Sequence, residues 1–229
     1  MSDDRVSSLV TISHPRSPIS EAYRTLRTNL EFSSLDKPIR SMVVTSAAPE
    51  EGKSTTLANL AVTIAQAGKK VILVDCDLRR PSLHQIFDLR NTTGFTDMMR
   101  DDNLMNKPPV QETGVANLRL ITSGTRPPNP SELLASRRMS ELIASLQNQA
   151  DIVLFDAPPV IAVTDAAVLA SKVDVVLLVI HAGKTKREHA KKAKVLLDKV
   201  NARLIGTVLN NVKGDAGLYQ YYTDEEKTG

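Results

Sequence analysis

The sequence of 229 residues predicts an α/β fold in three layers, with a mostly parallel central sheet and helices on both faces. Several apolar runs have the length of strands, and stretches with helical spacing of apolar residues separate them. Near-continuous apolar strands that alternate with helices indicate a parallel sheet buried on both sides. The hydrophobic content of 41% supplies a sizeable core, which must be aliphatic because aromatic residues make up only 3%.

One junction between a strand and a helix carries a phosphate-binding pattern. Met42-Val43-Val44 predicts a buried strand, and the following turn ends at Gly52, Lys53, Ser54 and Thr55. A helix is expected to follow at once, because its apolar positions share one face: Leu57, Leu60, Ala61 and Ile64. Strand, loop, Gly-Lys-Ser and helix together predict the phosphate-binding loop (P-loop) of an NTPase.

The expected chemistry of this loop is the binding of Mg²⁺ and ATP. Backbone N–H groups and the helix N-terminus favour phosphate. We expect Glu51 to Thr55 to surround the phosphates, with Lys53 at the β- and γ-phosphates and the Ser54 hydroxyl on Mg²⁺. The strict pattern has glycine at position 47, where this chain has Ala47.

Composition limits the partners and the location. The formal charge of +3, without interleaved aromatic residues, gives no case for binding nucleic acid. The one cysteine, Cys76, excludes an internal disulfide and suits a reducing cytosol. A polar N-terminus predicts no signal peptide, and the longest apolar run, Val175 to Ile180, is too short to span a bilayer. We therefore expect a soluble, cytoplasmic chain, which something else must hold at a membrane if it works there.

Residues 1–38 are predicted to form an N-terminal arm. Ser17-Pro18 is a typical helix start, and Tyr23, Leu26 and Leu30 would share the apolar face of that helix. A charged ladder lies beside it, formed by Glu21, Arg24 and Arg27. The pattern leaves two interpretations open: the helix packs on its own domain, or the ladder docks onto a neighbouring subunit.

Residues 39–213 are predicted to form the nucleotide-binding domain, and 214–229 a tail. The strands expected after the P-loop lie near residues 70–74, 118–122, 152–156, 173–180 and 204–210. Helices are expected over 131–149, 164–172 and 184–200, with short helical pieces near 83–87 and 95–99. The tail carries three of the four tyrosines, Tyr219, Tyr221 and Tyr222.

Three acidic residues follow two of the predicted strands. Asp75 and Asp77 end one strand with a single residue between them, and Asp156 ends another. Ligands on parallel sheets bind at the carboxyl ends of the strands, so these carboxylates are expected near the phosphate. They could hold Mg²⁺ and accept a proton, or Asp75 and Asp77 could merely cap the next helix. Arg79 and Arg80 follow directly and could neutralise phosphate oxygens.

These strings resemble the bacterial tyrosine kinases, which regulate the export of capsular and extracellular polysaccharide. The resemblance covers nearly the whole chain and rests on P-E-E-G-K-S-T, V-I-L-V-D-C-D-L-R-R-P, I-V-L-F-D-A-P-P and the tyrosines of the tail. It implies a tyrosine kinase that phosphorylates the tails of its own kind in trans, with Tyr219, Tyr221 and Tyr222 as acceptors. It further implies protein tyrosine substrates and a membrane adaptor, or polysaccharide co-polymerase, that activates the kinase. Fused forms also exist in the family, so the chain could instead be the cytosolic end of a longer one.

The resemblance also suggests roles for individual residues. Glu21, Arg24 and Arg27 match a family motif that supports ring-like self-association. Asp75 would take the proton from the incoming tyrosine, and Asp77 and Asp156 would support the metal, although the roles of Asp75 and Asp77 could be exchanged.

A second class, the partitioning and cell-division-site ATPases, shares the expected fold and would act as nucleotide-switched assembly proteins. Its P-loops carry an extra lysine where this chain has Ala48, which counts against it. Asn210, at the end of the last strand, matches the place where many relatives contact adenine, but it could equally be an ordinary turn residue.

Overall fold

A computed structural model describes residues 9–34 and 37–212. Its centre is a seven-stranded sheet in the order β3-β4-β2-β5-β1-β6-β7. Only β3 runs antiparallel to its neighbour, so the prediction of a mostly parallel sheet is confirmed. The strands are β1 (Ser41–Ser46), β2 (Val71–Asp75), β3 (Gln111–Glu112), β4 (Leu118–Ile121), β5 (Ile152–Asp156), β6 (Val175–His181) and β7 (Leu204–Asn210).

Helices cover both faces of the sheet. They are α1 (Val10–Ser13), α2 (Pro18–Phe32), α3 (Lys53–Gln66), α4 (Leu83–Ile86), α5 (Phe95–Met98), α6 (Asp102–Asn106), α7 (Pro130–Ala135), α8 (Arg137–Gln147), α9 (Asp165–Ala170) and α10 (Arg187–Asp198). The two faces have separate apolar cores, one containing Phe95 and Phe155 and the other Leu57 and Leu60. The alternating side chains of the buried strands supply both cores.

The single helix expected over 131–149 is wrong, because the chain breaks it at Ser136. This residue is extended, with ψ of 156°, and its hydroxyl accepts the Met139 N–H at 3.4 Å to cap a second helix. Serine favours such caps over helix interiors, since its hydroxyl competes for backbone groups. The short elements α1, α6 and β3 were not predicted either.

The first two helices pack against the helix that follows the P-loop. Leu9 and Leu30 belong to the apolar core on that face, and Thr11 donates its N–H and hydroxyl to Asn59 Oδ1. Arg27 Nη1 donates to the Thr63 carbonyl at 3.0 Å. The apolar face of α2 is therefore covered by its own chain.

The strand order places the predicted site. β5 lies between β1 and β2 and runs parallel to both, so the carboxyl ends of the three strands meet at one edge. Ser46, Asp75 and Asp156 end these strands, which confirms that the sequence brings them to a common edge. Over residues 9–34 and 37–212, none of the helices is long and apolar enough to cross a bilayer.

Candidate nucleotide-binding and catalytic site

The loop between β1 and α3 is held in shape by Glu51. This side chain is buried and accepts the Ala48 N–H at 3.0 Å, and the Thr185 hydroxyl donates to its other oxygen. Asn210 Nδ2 donates to the Glu51 carbonyl at 3.0 Å. The P-loop is thus tied both to the segment after β6 and to the end of β7.

Glycine is required at position 52. Gly52 has φ of +84°, in the left-handed region that side chains disfavour, and it precedes the first residue of α3. A Cβ placed there would lie 2.2 Å from Asn210 Nδ2. Gly52 therefore allows Asn210 to approach the loop, and α3 starts with its backbone N–H groups at the loop.

Lys53 lies between the carboxylate that ends β5 and one that lies just after β2. Its Nζ is 2.8 Å from Asp77 Oδ2, 3.1 Å from Asp156 Oδ1 and 3.0 Å from Ser54 Oγ. Burial opposes the charge on the amine, but the negative charges of Asp156 and Asp77 outweigh it and raise the Lys53 pKa. The lysine is therefore a fixed cation at the edge of the sheet, next to the loop.

Ser54 and Asp156 form an oxygen pair of the kind that Mg²⁺ binds. The Ser54 hydroxyl donates to Asp156 Oδ2 at 2.5 Å, and Asp156 is wholly buried. Burial raises the pKa of Asp156, and the charge of Lys53 partly offsets this. Mg²⁺ is usually held by one or two protein oxygens with phosphates and waters, and this pair fits that requirement. The described ranges contain no cluster of three or more acidic, histidine or cysteine side chains placed for a metal.

Asp75 is engaged with the backbone on both oxygens. Its Oδ1 accepts the Asp77 N–H at 3.2 Å, and its Oδ2 accepts those of Ser82 and Leu83 at 3.0 Å each. It therefore caps the start of α4, as one of the two interpretations of this residue expected. Burial, with a further contribution from the Asp156 charge, raises the pKa of Asp75 to about 8.

Two arginines follow Asp77, and among the described residues only the first has an ion-pair partner. Arg79 Nε and Nη2 donate to the two oxygens of buried Asp165 at 2.9 and 3.1 Å. Ser131 Oγ donates to the same carboxylate at 2.5 Å. The Arg80 N–H donates to Asp77 Oδ1 at 3.0 Å, while its side chain is exposed. The Arg79–Asp165 pair was missed because the partners lie 86 residues apart.

The structure brings most of the predicted site residues together. Direct contacts join the members of two groups around the loop: Glu51, Gly52 and Asn210, and Lys53, Ser54, Asp77 and Asp156. Thr55 follows them in the first turn of α3 and is exposed.

The other predicted residues lie elsewhere. Glu21 and Arg24 form an exposed ion pair of 2.8 Å on α2, whereas Arg27 turns toward α3. Tyr219, Tyr221 and Tyr222 lie outside the described residues. The residues missed were Ser131, Asp165 and Thr185; the first two carried only the signal of residues at predicted helix starts.

Fold and site together define a P-loop nucleotide-binding protein. The family described as ParA, an iron-transfer P-loop NTPase of the NUBPL kind, matches residues 39–216. Tyrosine-protein kinase YwqD of Bacillus subtilis is 46% identical over 215 residues, which are 93% of this chain and 90% of YwqD. The chain therefore belongs to the bacterial tyrosine kinase family.

Solved structures agree with this assignment. The chimerical protein CapA2B2 superposes with a TM-score of 0.86 at 39% identity, covering 91% of each chain. The kinase domain of the Escherichia coli tyrosine kinase ETK has a TM-score of 0.85 at 34% identity and covers 89% of this chain and 80% of that one. The septum site-determining protein MinD of Pyrococcus horikoshii, at 22% identity and a TM-score of 0.64, shares the fold alone.

Proposed function

We propose that this chain is an ATP-dependent protein-tyrosine kinase that phosphorylates Tyr219, Tyr221 and Tyr222 of another copy. The observation that carries the proposal is the position of Lys53, held by Asp77 and Asp156 at the start of α3 in a member of the tyrosine kinase family. Phosphoryl transfer depends mainly on positioning and on charge neutralisation, which this arrangement supplies.

The reaction transfers one phosphoryl group. The tyrosine oxygen forms a bond to the γ-phosphorus, the bond from that phosphorus to the bridging oxygen breaks, and ADP leaves. The N–H groups of the loop and Lys53 bind the phosphates and neutralise their charge. Mg²⁺, bound by Ser54 and Asp156 with support from Asp77, would stabilise negative charge on the phosphate oxygens.

Asp75 accepts the hydroxyl proton in this proposal. A tyrosine hydroxyl has an ordinary pKa of about 10, so a base with a raised pKa assists its attack. The pKa of Asp75, about 8, suits this task, whereas Asp77 is paired with Lys53. The cap that Asp75 forms for α4 would fix the orientation of its carboxylate.

Asp75→Asn and Asp77→Asn separate the two roles. Loss of the base should lower kcat by about 100-fold without changing the Mg²⁺ concentration at half-saturation. Loss of a metal ligand should raise that concentration. If Asp75→Asn shifts the Mg²⁺ requirement and Asp77→Asn does not, the roles are exchanged.

Incubation with γ-labelled ATP tests the whole proposal. We expect label on the protein that is lost when Tyr219, Tyr221 and Tyr222 are replaced by Phe, and lost with Lys53→Met. Mixing a Lys53→Met acceptor with a tail-Phe enzyme should restore the label, because transfer occurs in trans. Phosphate released to solution from an unlabelled chain would instead indicate an ATPase that switches assembly.

The cellular role we propose is regulation of polysaccharide polymerisation and export. In this proposal the chain is cytoplasmic, forms a ring through Glu21, Arg24 and Arg27, and is recruited to the inner face of the membrane by an adaptor or co-polymerase. The exposed Glu21–Arg24 pair on α2 is available for such docking. In this proposal Asn210, which lies beside Gly52, contacts the base of the nucleotide.

A further inference from the structure

We propose that Arg80 is a specificity-determining residue that pairs with acidic residues following the tyrosines of an incoming tail. The inference rests on the proposed kinase function and names how the acceptor is chosen. Its occupant is the segment Asp224-Glu225-Glu226 of a second copy of this chain. The two arginines that follow Asp77 differ in their exposure and in their partners.

Arg79 is not available to a ligand. Its guanidinium makes a bidentate contact with Asp165, a carboxylate with no exposed surface, and Ser131 completes the set. Breaking such a pair would leave a buried carboxylate without its cation, which is unfavourable. The pair also joins the segments that follow β2, β4 and β5, so the chain after Asp77 is held in place.

Within the part of the chain that the structure describes, Arg80 is an unpaired cation next to the carboxylates. Its backbone N–H donates to Asp77 Oδ1, which fixes the start of the side chain relative to the site. The residue is exposed, and its guanidinium forms no ion pair or hydrogen bond within residues 9–34 and 37–212. An exposed guanidinium on a residue whose backbone is held in place suits bidentate recognition of a carboxylate.

The tail sequence supplies the complementary charges. After Tyr222, one threonine precedes three consecutive acidic residues, Asp224, Glu225 and Glu226. An extended chain rises about 3.3 Å per residue, so a tyrosine at the reacting position places these acids about 7–13 Å away. Arg80 lies three residues after Asp77. Its long side chain covers much of the distance, about 7–13 Å, between the reacting tyrosine and these acids.

The test uses trans phosphorylation of full-length Lys53→Met acceptors by an enzyme whose tail tyrosines are Phe. One acceptor keeps the acidic residues, and another carries Asp224→Asn, Glu225→Gln and Glu226→Gln. The enzyme is compared with Arg80→Gln and with the matched control Arg187→Gln, which removes an exposed charge from α10. The KM for each acceptor and the KM for ATP are measured separately.

We expect Arg80→Gln to raise the KM for the acidic acceptor about fivefold, the upper range for one exposed ion pair. With the unmodified enzyme, the KM for the neutral acceptor should exceed the KM for the acidic acceptor by a similar factor. Arg80→Gln should change the KM for the neutral acceptor little. The control should behave as the unmodified enzyme does. Arg80→Glu with an acceptor carrying Asp224→Lys and Glu225→Lys should recover part of the loss.

Two results would overturn the inference. Equal KM values for the acidic and neutral acceptors would show that the enzyme does not recognise the acidic residues. A rise in the KM for ATP alone, on Arg80→Gln, would place Arg80 on the nucleotide phosphates. Absence of label on every acceptor would count against the kinase function instead. In that case the inference is tested by the fluorescence anisotropy of a labelled peptide of residues 214–229. Arg80→Gln should weaken the binding of this peptide and leave unchanged the binding of a peptide that carries the three neutral substitutions.

Discussion

Asp75 and Asp156 are register partners at the ends of the parallel strands β2 and β5, and both are wholly buried. Two carboxyl groups that share a dry environment oppose each other's ionisation. Lys53 contacts Asp156 but not Asp75, so the charges at this edge are unevenly balanced before any ligand binds. Several measurable consequences come from this relationship and from the contacts around it.

Asp75→Asn should make the stability of the ligand-free protein less dependent on pH. Burial and the Asp156 charge raise the pKa of Asp75 to about 8, whereas its unfolded value is about 3.9. Between these values the folded state binds more protons, so the free energy of unfolding falls as pH rises. Urea unfolding from pH 5 to 8 should show a shallower fall in the variant. An unchanged slope, matching that of the exposed control Glu188→Gln, would contradict this.

Lys53→Met should destabilise the ligand-free protein, although the lysine is a functional residue. The substitution leaves Asp77 and Asp156 without their cation in a buried setting, which costs about 3 kcal/mol. The loss should be smaller at pH 5 than at pH 8, because the raised pKa of Asp156 lets that carboxyl group take up a proton at low pH. Chemical denaturation at the two pH values measures it. Lys191→Met, on the exposed face of α10, is the control and should change stability little.

Gly52→Ala should disrupt the P-loop for two separable reasons. The new Cβ would lie 2.2 Å from Asn210 Nδ2, and φ of +84° is unfavourable for alanine by about 1–2 kcal/mol. Nucleotide affinity, measured by calorimetry, should fall strongly. Adding Asn210→Ala removes the clash but not the backbone strain, so it should restore affinity only part of the way to that of Asn210→Ala alone. Full recovery would mean that the left-handed conformation of Gly52 is unimportant.

The two arginines of the predicted docking ladder should differ in their effects. Arg27→Ala removes the bond to the Thr63 carbonyl near the end of α3 and should lower stability by about 1–2 kcal/mol. Arg24→Ala breaks an exposed pair with Glu21 and an exposed hydrogen bond to the Pro15 carbonyl, so stability should change little, by roughly 0.5 kcal/mol. Light scattering of the Arg24→Ala variant then reports assembly alone. Equal stability losses would show that both arginines serve the fold.

The parts of this molecule that local chemistry determines could be predicted from the sequence. Apolar strand runs and the Gly-Lys-Ser junction gave the sheet and the loop, since each depends on adjacent residues. The convergence of Asp75 and Asp156 followed from a rule for parallel sheets, once both residues ended strands. Which strands are neighbours was not determined by local pattern, and the register supplied that information.

Other features depend on contacts between distant residues, and the sequence could not show them. The break at Ser136 arises where a serine cap competes with helical spacing that continues on both sides. Arg79 can pair with Asp165, and Thr185 can donate to Glu51, only after folding has brought the loops together. The predicted roles of the tail tyrosines and of the docking ladder stay predictions.

Cys76 gives this chain a built-in probe of opening at the nucleotide edge. It is the only cysteine, is wholly buried, and donates its backbone N–H to the Asp156 carbonyl at 2.9 Å. Burial and the neighbouring carboxylates raise the pKa of its thiol well above the ordinary value, which leaves little reactive thiolate. Alkylation at this sulfur therefore requires the apolar core beside the seam between β2 and β5 to open. The rate at which a maleimide alkylates Cys76, measured with and without each nucleotide, would report how far that nucleotide suppresses this opening.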